Sequence, residues 1–426
     1  MRTFRFALKT FGCKVNQYEE QLMREGFVKY GWEETGTDEA DVLVVNSCTV
    51  TGQAEVKARR YLKRVKRDNP DIRIFFTGCY AVLPEDIRTL NGISEIHSVI
   101  PGGEKGNIVP MIVRDLSGEC VGAVNAGISG FGTHTRAFIK VQDGCDQKCA
   151  YCKVNIVRGP SRSRGIDEIV AEVERLLERG YREMVITGIC LGLWRGNGGE
   201  RLDHLLREIL RIKGRYRIRL SSLEPNHVDE ELLDVLSGDE RLCRHLHIPL
   251  QSGSDHILGA MGRRYTVRDY ARRIEHIRKV MPSAGITMDV ISSFPGETED
   301  DHRNTRDFLH EISPSRLHVF RFSERPGTKA ASMSFKVPVD VAKQRVNELI
   351  ELGEGFKDRF CRSFIGTPVD VLLEKQEKGG MLEGYTGEYV RVVLSGYNSC
   401  IGDIIRVTPT KAEKRIEPSL ICAKPA

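Results

Sequence analysis

The chain has 426 residues, with 64 Lys and Arg against 59 Asp and Glu and a formal net charge of +5 at neutral pH. Hydrophobic residues at 40% and charged residues at 29% exclude a disordered or collagenous chain, and at roughly 100–200 residues per domain the length suggests about three domains. No run approaches the roughly 18 consecutive apolar residues of a spanning helix, and Met1 to Thr10 is too broken by charge to be the apolar part of a signal peptide; the expected location is the cytoplasm, with no membrane partner.

The first segment, 1–125, repeats one grammar: a short apolar β-type run, a small or polar turn, then a helix-like stretch. Phe4 to Phe11 precedes Gly12-Cys13, Val42 to Val45 precedes Asn46-Ser47-Cys48, and Ile72 to Phe76 precedes Thr77-Gly78-Cys79. The separations of 35 and 31 residues between these cysteines match a strand-helix-strand unit. Each cysteine is therefore expected at the carboxyl end of a parallel strand, where open sheets bind ligands. Residues 103 to 134 carry no helical period and are expected to be strand and loop.

Segment 134–362 alternates strand and helix again. Its strand candidates are Ala137 to Val141, Met184 to Thr187, Arg217 to Leu220, His245 to Pro249, Gly285 to Ile291 and Arg316 to Phe320. A helix is expected over Ile166 to Glu178, with Asp167 and Glu168 in its first turn. Six parallel strands suit a partial (β/α)6 barrel. In segment 363–426, Val369 to Leu373, Tyr389 to Leu394 and Ile404 to Val407, split by Gly379-Gly380, Gly396 and Gly402, predict a small antiparallel β-barrel. The fold class is thus α/β, with a Rossmann-like N-terminal domain, a partial barrel and a small C-terminal β-barrel.

Twelve cysteines in a reducing compartment point to metal binding or catalysis rather than disulfides. The sharpest pattern is Gly144-Cys145-Asp-Gln-Lys-Cys149-Ala-Tyr-Cys152, just after the first strand of the second segment. Three thiolates so spaced suit a 4Fe-4S cluster and leave one iron open for S-adenosylmethionine. A zinc site completed by a distant ligand, or a Cys149–Cys152 dithiol pair, are the alternatives. For Cys120, Cys190, Cys243, Cys361, Cys400 and Cys422, which lack ligand spacing, the expectation is a buried small hydrophobe.

This segment resembles the signature of the radical S-adenosylmethionine superfamily, and the chain as a whole resembles its methylthiotransferases. The resemblance extends through Thr10-Phe-Gly-Cys-Lys-Val-Asn-Gln17, Asn46-Ser-Cys-Thr-Val-Thr51, Thr77-Gly-Cys-Tyr80, Arg158-Gly-Pro-Ser-Arg-Ser-Arg164, His247-Ile-Pro-Leu-Gln-Ser-Gly-Ser254, Phe294-Pro-Gly-Glu-Thr298 and Arg325-Pro-Gly-Thr328. It implies a radical barrel with catalytic Cys145, Cys149 and Cys152, a second 4Fe-4S cluster on Cys13, Cys48 and Cys79, and a TRAM-type RNA-binding barrel. It also implies S-adenosylmethionine as cofactor, tRNA as partner, a reductant such as flavodoxin or ferredoxin, and a sulfur donor. Asn155, Cys190, Ser292-Ser293, Arg321 and Glu324 depart from the family's usual residues.

Among the family's substrates, the Cys-Lys-Val-Asn at Cys13 to Asn16 and the Asn-Ser-Cys-Thr-Val-Thr resemble the N6-threonylcarbamoyladenosine branch. Isopentenyladenosine in tRNA, an aspartate of a ribosomal protein, or a non-catalytic metal-bearing RNA-binding module are the alternatives. A substrate with a carboxylate needs a cation or several donors in its pocket; Arg158, Arg321 and Arg325 are the candidates. At strand ends, Thr187, Gly188, Glu224, Gln251, Ser252 and Asp289 are candidates for S-adenosylmethionine or substrate, while His247 is expected to be a satisfied interior histidine. Two basic stretches are candidate phosphate contacts: seven positive residues over Lys57 to Arg67, and Arg136, Lys140, Lys148, Lys153, Arg158, Arg162 and Arg164 around the cysteine loop. From Phe364 onward the formal charges cancel, so RNA binding there is expected at local groups, with Tyr385, Tyr389 and Arg391 as candidates.

Overall fold

A computed structural model describes residues 3–48, 52–103, 105–118, 122, 127–132, 134–377, 379–397, 399–414 and 417–423. Cys120 and the Thr49–Thr51 end of the second cysteine motif lie outside the described residues. The first sheet is wholly parallel, in the order Glu33–Glu34, Arg5–Phe11, Val42–Ser47, Arg73–Thr77, Ser98–Val99. Its three central strands are buried on both faces, because the two-residue period sends Phe6, Val42, Val44 and Phe75 to one core and Ala7, Leu43, Val45, Ile74 and Phe76 to the other. Helix Lys14–Lys29 contributes Met23 and Phe27 to the first core, and helix Gly52–Asp68 contributes Ala58, Leu62 and Val65 to the second.

The expectation of strand and loop over 103–134 is corrected by a helix, Ile108–Ser117, ended by Gly118 in the left-handed conformation. Ile108, Val109, Ile112 and Val113 form its buried face, a helical period that Pro110 obscures in the sequence. In the first turn a proline removes no intrahelical hydrogen bond.

The six expected barrel strands are present as Arg136–Lys140, Glu183–Thr187, Arg217–Leu220, His245–His247, Gly285–Ser292 and Arg316–Arg321. They form two three-stranded parallel sheets joined by the bridges Ile218↔Leu242 and Ser222↔His247, an open barrel of six strands. Helix Ile166–Glu178 has the predicted bounds. Ile139, Ile186, Ile218, Leu220, Leu246, Met288 and Val290 pack outward under the helices. Alternation therefore turns Glu183, Arg217, Arg219, His245, His247, Thr287 and Asp289 into the lumen.

The C-terminal unit is a six-stranded sheet, ordered Ile404–Val407, Val369–Gln376, Leu382–Thr386, Arg391–Ser395, Pro418–Ala423, Lys411–Lys414. It corrects the sequence reading in two ways. Arg391–Ser395 pairs with Pro418–Ala423 in parallel, and the Leu382–Thr386 strand was hidden by Gly384, where any side chain would collide with the Leu372 carbonyl. The turn between Thr386 and Val390 enters the foot of the barrel. Arg217 donates to the Tyr385 carbonyl (2.8 Å) and Arg219 to those of Gly387 (2.9 Å) and Thr386 (3.0 Å). Tyr389, with φ of 70°, stacks on Tyr385 and lies 4.9 Å from His245 between ring centroids.

Among the described residues, no helix is long and apolar enough to cross a membrane.

Candidate functional site

Cys13, Cys48 and Cys79 stand at the carboxyl ends of three neighbouring parallel strands, on one rim. Asn16 spans two of them: its Oδ1 accepts from Cys13 Sγ (3.2 Å) while its Nδ2 lies 4.0 Å from Cys79 Sγ, and Asn46 donates to its carbonyl (3.0 Å). Gly78, at φ 97°, leaves no room for a side chain against Asn46 and the Ser47 backbone. The Cys79 thiol also accepts from Arg158 Nε (3.1 Å), and the same guanidinium donates to Glu19 (3.0 Å) and Asp143 (2.9 Å). Desolvation in this crevice pushes the Cys13 thiol up, against the lowering influence of Arg158.

Cys145, Cys149 and Cys152 occupy the loop after strand Arg136–Lys140. Asp143 caps the Gly144 amide (2.8 Å), and Gln142 donates to the carbonyls of Gly144 (2.8 Å) and Asp143 (3.0 Å) while its Oε1 accepts from the Cys190 amide (2.8 Å). Gln142 thus ties the cysteine loop to the end of the next strand. Gly144 has φ 72° and its missing side chain faces the Pro160 carbonyl, so only glycine fits. Arg263 donates to Cys149 Sγ (3.3 Å) and forms an ion pair with Glu224. A hydrogen bond with Cys190 lowers Cys145 to about 7, whereas burial pushes Cys152 up to about 12, with Cys149 and Cys145 adding to the rise.

Each triad therefore presents three sulfur donors, with an arginine on one of them: Arg158 on Cys79 and Arg263 on Cys149. This donor set fits an iron–sulfur cluster, whose ligands are deprotonated thiolates tuned by N–H···S contacts.

The other candidates divide. Glu224 sits beside Cys149 through Arg263. Thr187 and Gly188 lie at Gln142: Val141 donates to the Thr187 carbonyl (2.9 Å), and the Gly188 slot faces the Gln142 side chain. Gln251 is held at φ 68° by backbone bonds with Asp289 (2.8 Å) and Ile291 (2.9 Å). Ser252 is turned away from the lumen, its hydroxyl 3.4 Å from Thr305 on helix Glu299–Ile312. Asp289 Oδ1 lies 2.9 Å from His247 Nε2 and 3.0 Å from His318 Nδ1, and Ser222 Oγ is 2.7 Å from His247 Nδ1. His247 is thus satisfied at both nitrogens. Despite burial, the two imidazoles hold the Asp289 carboxyl below the usual carboxylate range.

Other expectations are corrected. Of the basic residues around the cysteine loop, Arg136 pairs with Glu374 (2.9 Å), Lys140 with Asp143 (3.2 Å), Lys153 with Asp86 (2.8 Å), Arg158 with Glu19 and Asp143, and Arg164 with Glu172 (2.7 Å). Only Lys148 and Arg162 of that set are exposed, because this segment is the seam between the first sheet and the barrel. The exposed basic face is instead that of helix Gly52–Asp68. Arg158 is engaged internally; Arg325 is buried and Arg321 exposed. Tyr385 and Tyr389 lie under Arg136 at the barrel foot, and Arg391 pairs with Glu383, so all three are half-buried and engaged with other side chains. Cys243, Cys361 and Cys422 are buried as expected, but Cys400 is exposed and the buried Cys190 bonds to Cys145.

Sequence reasoning missed Gln142, Asn16, Arg263 and His318. Asn16 lies inside a motif already singled out and Gln142 stands three residues before Cys145; nothing local marks Arg263 or His318, which reach the site only through folding.

Residues 139–309 match the model of the radical SAM superfamily, and residues 5–98 that of the uncharacterized protein family UPF0004. The chain is 37% identical to the threonylcarbamoyladenosine tRNA methylthiotransferase MtaB of Thermotoga maritima, covering 92% of this chain and 91% of that protein. It is 35% identical to the protein of the same name from Bacillus subtilis, covering 95% and 94%. Among solved structures it is similar in fold to the radical S-adenosylmethionine methyltransferase TsrM from Kitasatospora setae, with a TM-score of 0.58 at 16% identity over 80% of this chain and 78% of that one.

Proposed function

The chain belongs to the radical S-adenosylmethionine tRNA methylthiotransferases, and from that premise we propose that it places a methylthio group on C2 of N6-threonylcarbamoyladenosine beside the anticodon. What carries the reading of the reaction is the pairing of two three-cysteine sites joined by one buried guanidinium, Arg158, on Cys79 and Asp143. The substrate rests on the agreement of relatives along nearly the whole chain.

When bound, two 4Fe-4S clusters and S-adenosylmethionine supply an electron, a 5'-deoxyadenosyl radical able to take hydrogen from an unactivated C–H bond, and a sulfur carrying the methyl group. The residues of this chain hold and insulate those groups. Cys145, Cys149 and Cys152 would bind one cluster, and Cys13, Cys48 and Cys79 the other. Thr187 and Gly188 beside Gln142, Glu224 through Arg263, and Gln251 at its strand end are proposed for S-adenosylmethionine, whose charged ends need donors and carboxylates. Lys153–Asp86 and Arg158–Glu19 fix one site against the other.

The units 1–125, 134–362 and 363–426 are proposed as an auxiliary-cluster domain, a radical barrel and a TRAM domain. A low-potential reductant such as flavodoxin or ferredoxin and a sulfur donor are the proposed partners, and the cytoplasm the proposed location.

The test incubates anaerobically reconstituted protein with S-adenosylmethionine, reductant and tRNA bearing threonylcarbamoyladenosine, then analyses nucleosides by mass spectrometry. Wild type is expected to form the methylthio nucleoside and Cys149→Ala none. Methylthiolation of isopentenyladenosine or of a protein aspartate instead, or cleavage of S-adenosylmethionine without transfer, would overturn the reading.

A further inference from the structure

Four adjacent barrel strands bring Ser222, His247, Asp289 and His318 into one row across the lumen. His247 pairs across the sheets with Ser222, and Asp289 is in register with His318. Glu224, tied to Cys149 through Arg263, lies one strand repeat beyond Ser222, since residues two apart on a strand share a face and differ in depth by about 6–7 Å, and Gln251 is bridged to Val290 beside Asp289. His245 and Thr287 precede His247 and Asp289 by one repeat on their own strands and meet each other near Arg219 and the Tyr389 turn at the barrel foot. A substrate entering the lumen meets this row.

An ionised carboxylate only accepts, so both imidazoles donate to Asp289 Oδ1, His247 through Nε2 and His318 through Nδ1. His247 Nδ1 is then free to accept from Ser222. That leaves His318 Nε2 without a partner among the described residues, on a side chain 43% exposed. His247, Asp289 and His318 offer ligand atoms within 4.8 Å of one another, but the carboxylate is occupied by two N–H donors.

A second group comes from beside the first sheet. Lys14 begins helix Lys14–Lys29, one turn before Tyr18 on the same helix face. Tyr18 packs against the barrel, with Lys140 Nζ and the Arg164 guanidinium each 5.9 Å from its ring centroid. Lys14 is exposed, at the start of the helix that packs along strand Arg136–Lys140 on the open side of the barrel. Burial and then Arg219 lower the proton affinity of His245, and Arg136 and Arg219 outweigh burial to lower that of Tyr389; the Lys14 charge adds a smaller contribution in the same direction to each. Among the described residues Lys14 forms no ion pair with a carboxylate.

The geometry points to Lys14 and His318 as the substrate-recognition pair for the anionic side chain: the Lys14 ammonium binds the carboxylate of the threonylcarbamoyl group, and His318 Nε2, positioned by Asp289, hydrogen-bonds its hydroxyl–carboxylate end. The assignment rests on the substrate reading above. It explains how a lumen containing Asp289 can accept an anion, because that carboxylate is already shared by two N–H donors. It also gives the lysine beside Cys13 a role apart from the cluster.

The experiment compares two anticodon stem-loop RNAs, one carrying threonylcarbamoyladenosine and one in which the side-chain carboxylate is converted to the primary amide. For wild type, Lys14→Met and His318→Leu holoenzymes, kcat/KM for methylthio product is measured on both, with iron and sulfide counted for each preparation. A charged hydrogen-bonded contact of this kind predicts roughly tenfold or greater preference of wild type for the carboxylate. Lys14→Met should lose most of that preference and His318→Leu part of it. Because the readout is a ratio within each variant, a general loss of activity cancels. If both variants keep the wild-type ratio, or wild type shows no preference, the assignment is wrong. If Lys14→Met fails to load iron, His318→Leu, whose partners are Asp289 and His247 rather than a cysteine, decides alone. If wild type modifies neither RNA, the substrate reading fails rather than the recognition pair.

Discussion

Arg158 illustrates how one residue can be assigned a different role by the fold. Its position near the cysteine loop marks it for phosphate or substrate, yet folding buries it and directs its nitrogens to Cys79, Glu19 and Asp143. Burial disfavours its charge, and the two carboxylates and the Cys79 thiol more than restore it, so its proton affinity rises well above that of a free arginine. An N–H···S bond and a nearby positive charge favour the more negative, reduced state of a bound cluster. Arg158→Met should therefore shift the auxiliary cluster to a more negative midpoint potential, read by redox titration with electron paramagnetic resonance. It should also destabilise the protein by roughly 3–5 kcal/mol, since two buried carboxylates lose a partner; denaturant unfolding measures that. Arg158→Lys should retain part of the potential and less of the geometry, because an ammonium cannot span three acceptors as a planar fork does.

At the scale of elements, the loop from Gln142 to Cys152 does what neither flanking strand can. A strand end delivers the chain to the rim, but three sulfurs converge only if the backbone reverses at Gly144, whose left-handed φ and missing side chain let the Pro160 carbonyl close over it. Gln142 then fastens this loop to the one carrying Cys190. Gly144→Ala adds a backbone strain of about 1–3 kcal/mol and a collision with main-chain atoms that cannot rotate away. The expected outcome is a folded protein that has lost the radical-site cluster and kept the auxiliary one, with iron per chain falling by about half. Iron analysis with absorption spectroscopy checks this. A variant with full iron content would show that the loop has another route to closure.

For the whole molecule, the decisive contact is the one between barrel and C-terminal sheet. Glu183 is fully buried; desolvation pushes its carboxyl up, but Arg217, Arg219 and Arg136 hold it down to about 2. The same Arg217 and Arg219 grip the carbonyls of the C-terminal turn, so ionised Glu183 sets the arginines that seat it. Its folded pKa lies below the ordinary carboxyl value of about 4.5, so its contribution is present above about 4.5 and is lost as pH falls toward about 2. Acid titration followed by circular dichroism should show stability falling across that window. Glu183→Gln should flatten this limb while costing roughly 3–5 kcal/mol at neutral pH, where the buried Arg217 and Arg219 lose their counter-charge.

The sequence by itself determined the grammar: parallel strands ending in Cys13, Cys48 and Cys79, six barrel strands close to their observed bounds, and a three-cysteine loop with the spacing of a cluster site. Those are local properties, since period-two burial and a short motif are written in neighbouring residues. Only the tertiary structure decided where the charges go. The basic residues around the cysteine loop look like an RNA surface in one dimension, but the first sheet brings Glu19 and Asp86 against them and consumes most of that charge. Tyr389 looks like a displayed aromatic and becomes the stopper of the barrel, while His318 meets Asp289 and His247 on other strands only through folding. Ion pairing and desolvation depend on distance in space, which sequence separation does not encode.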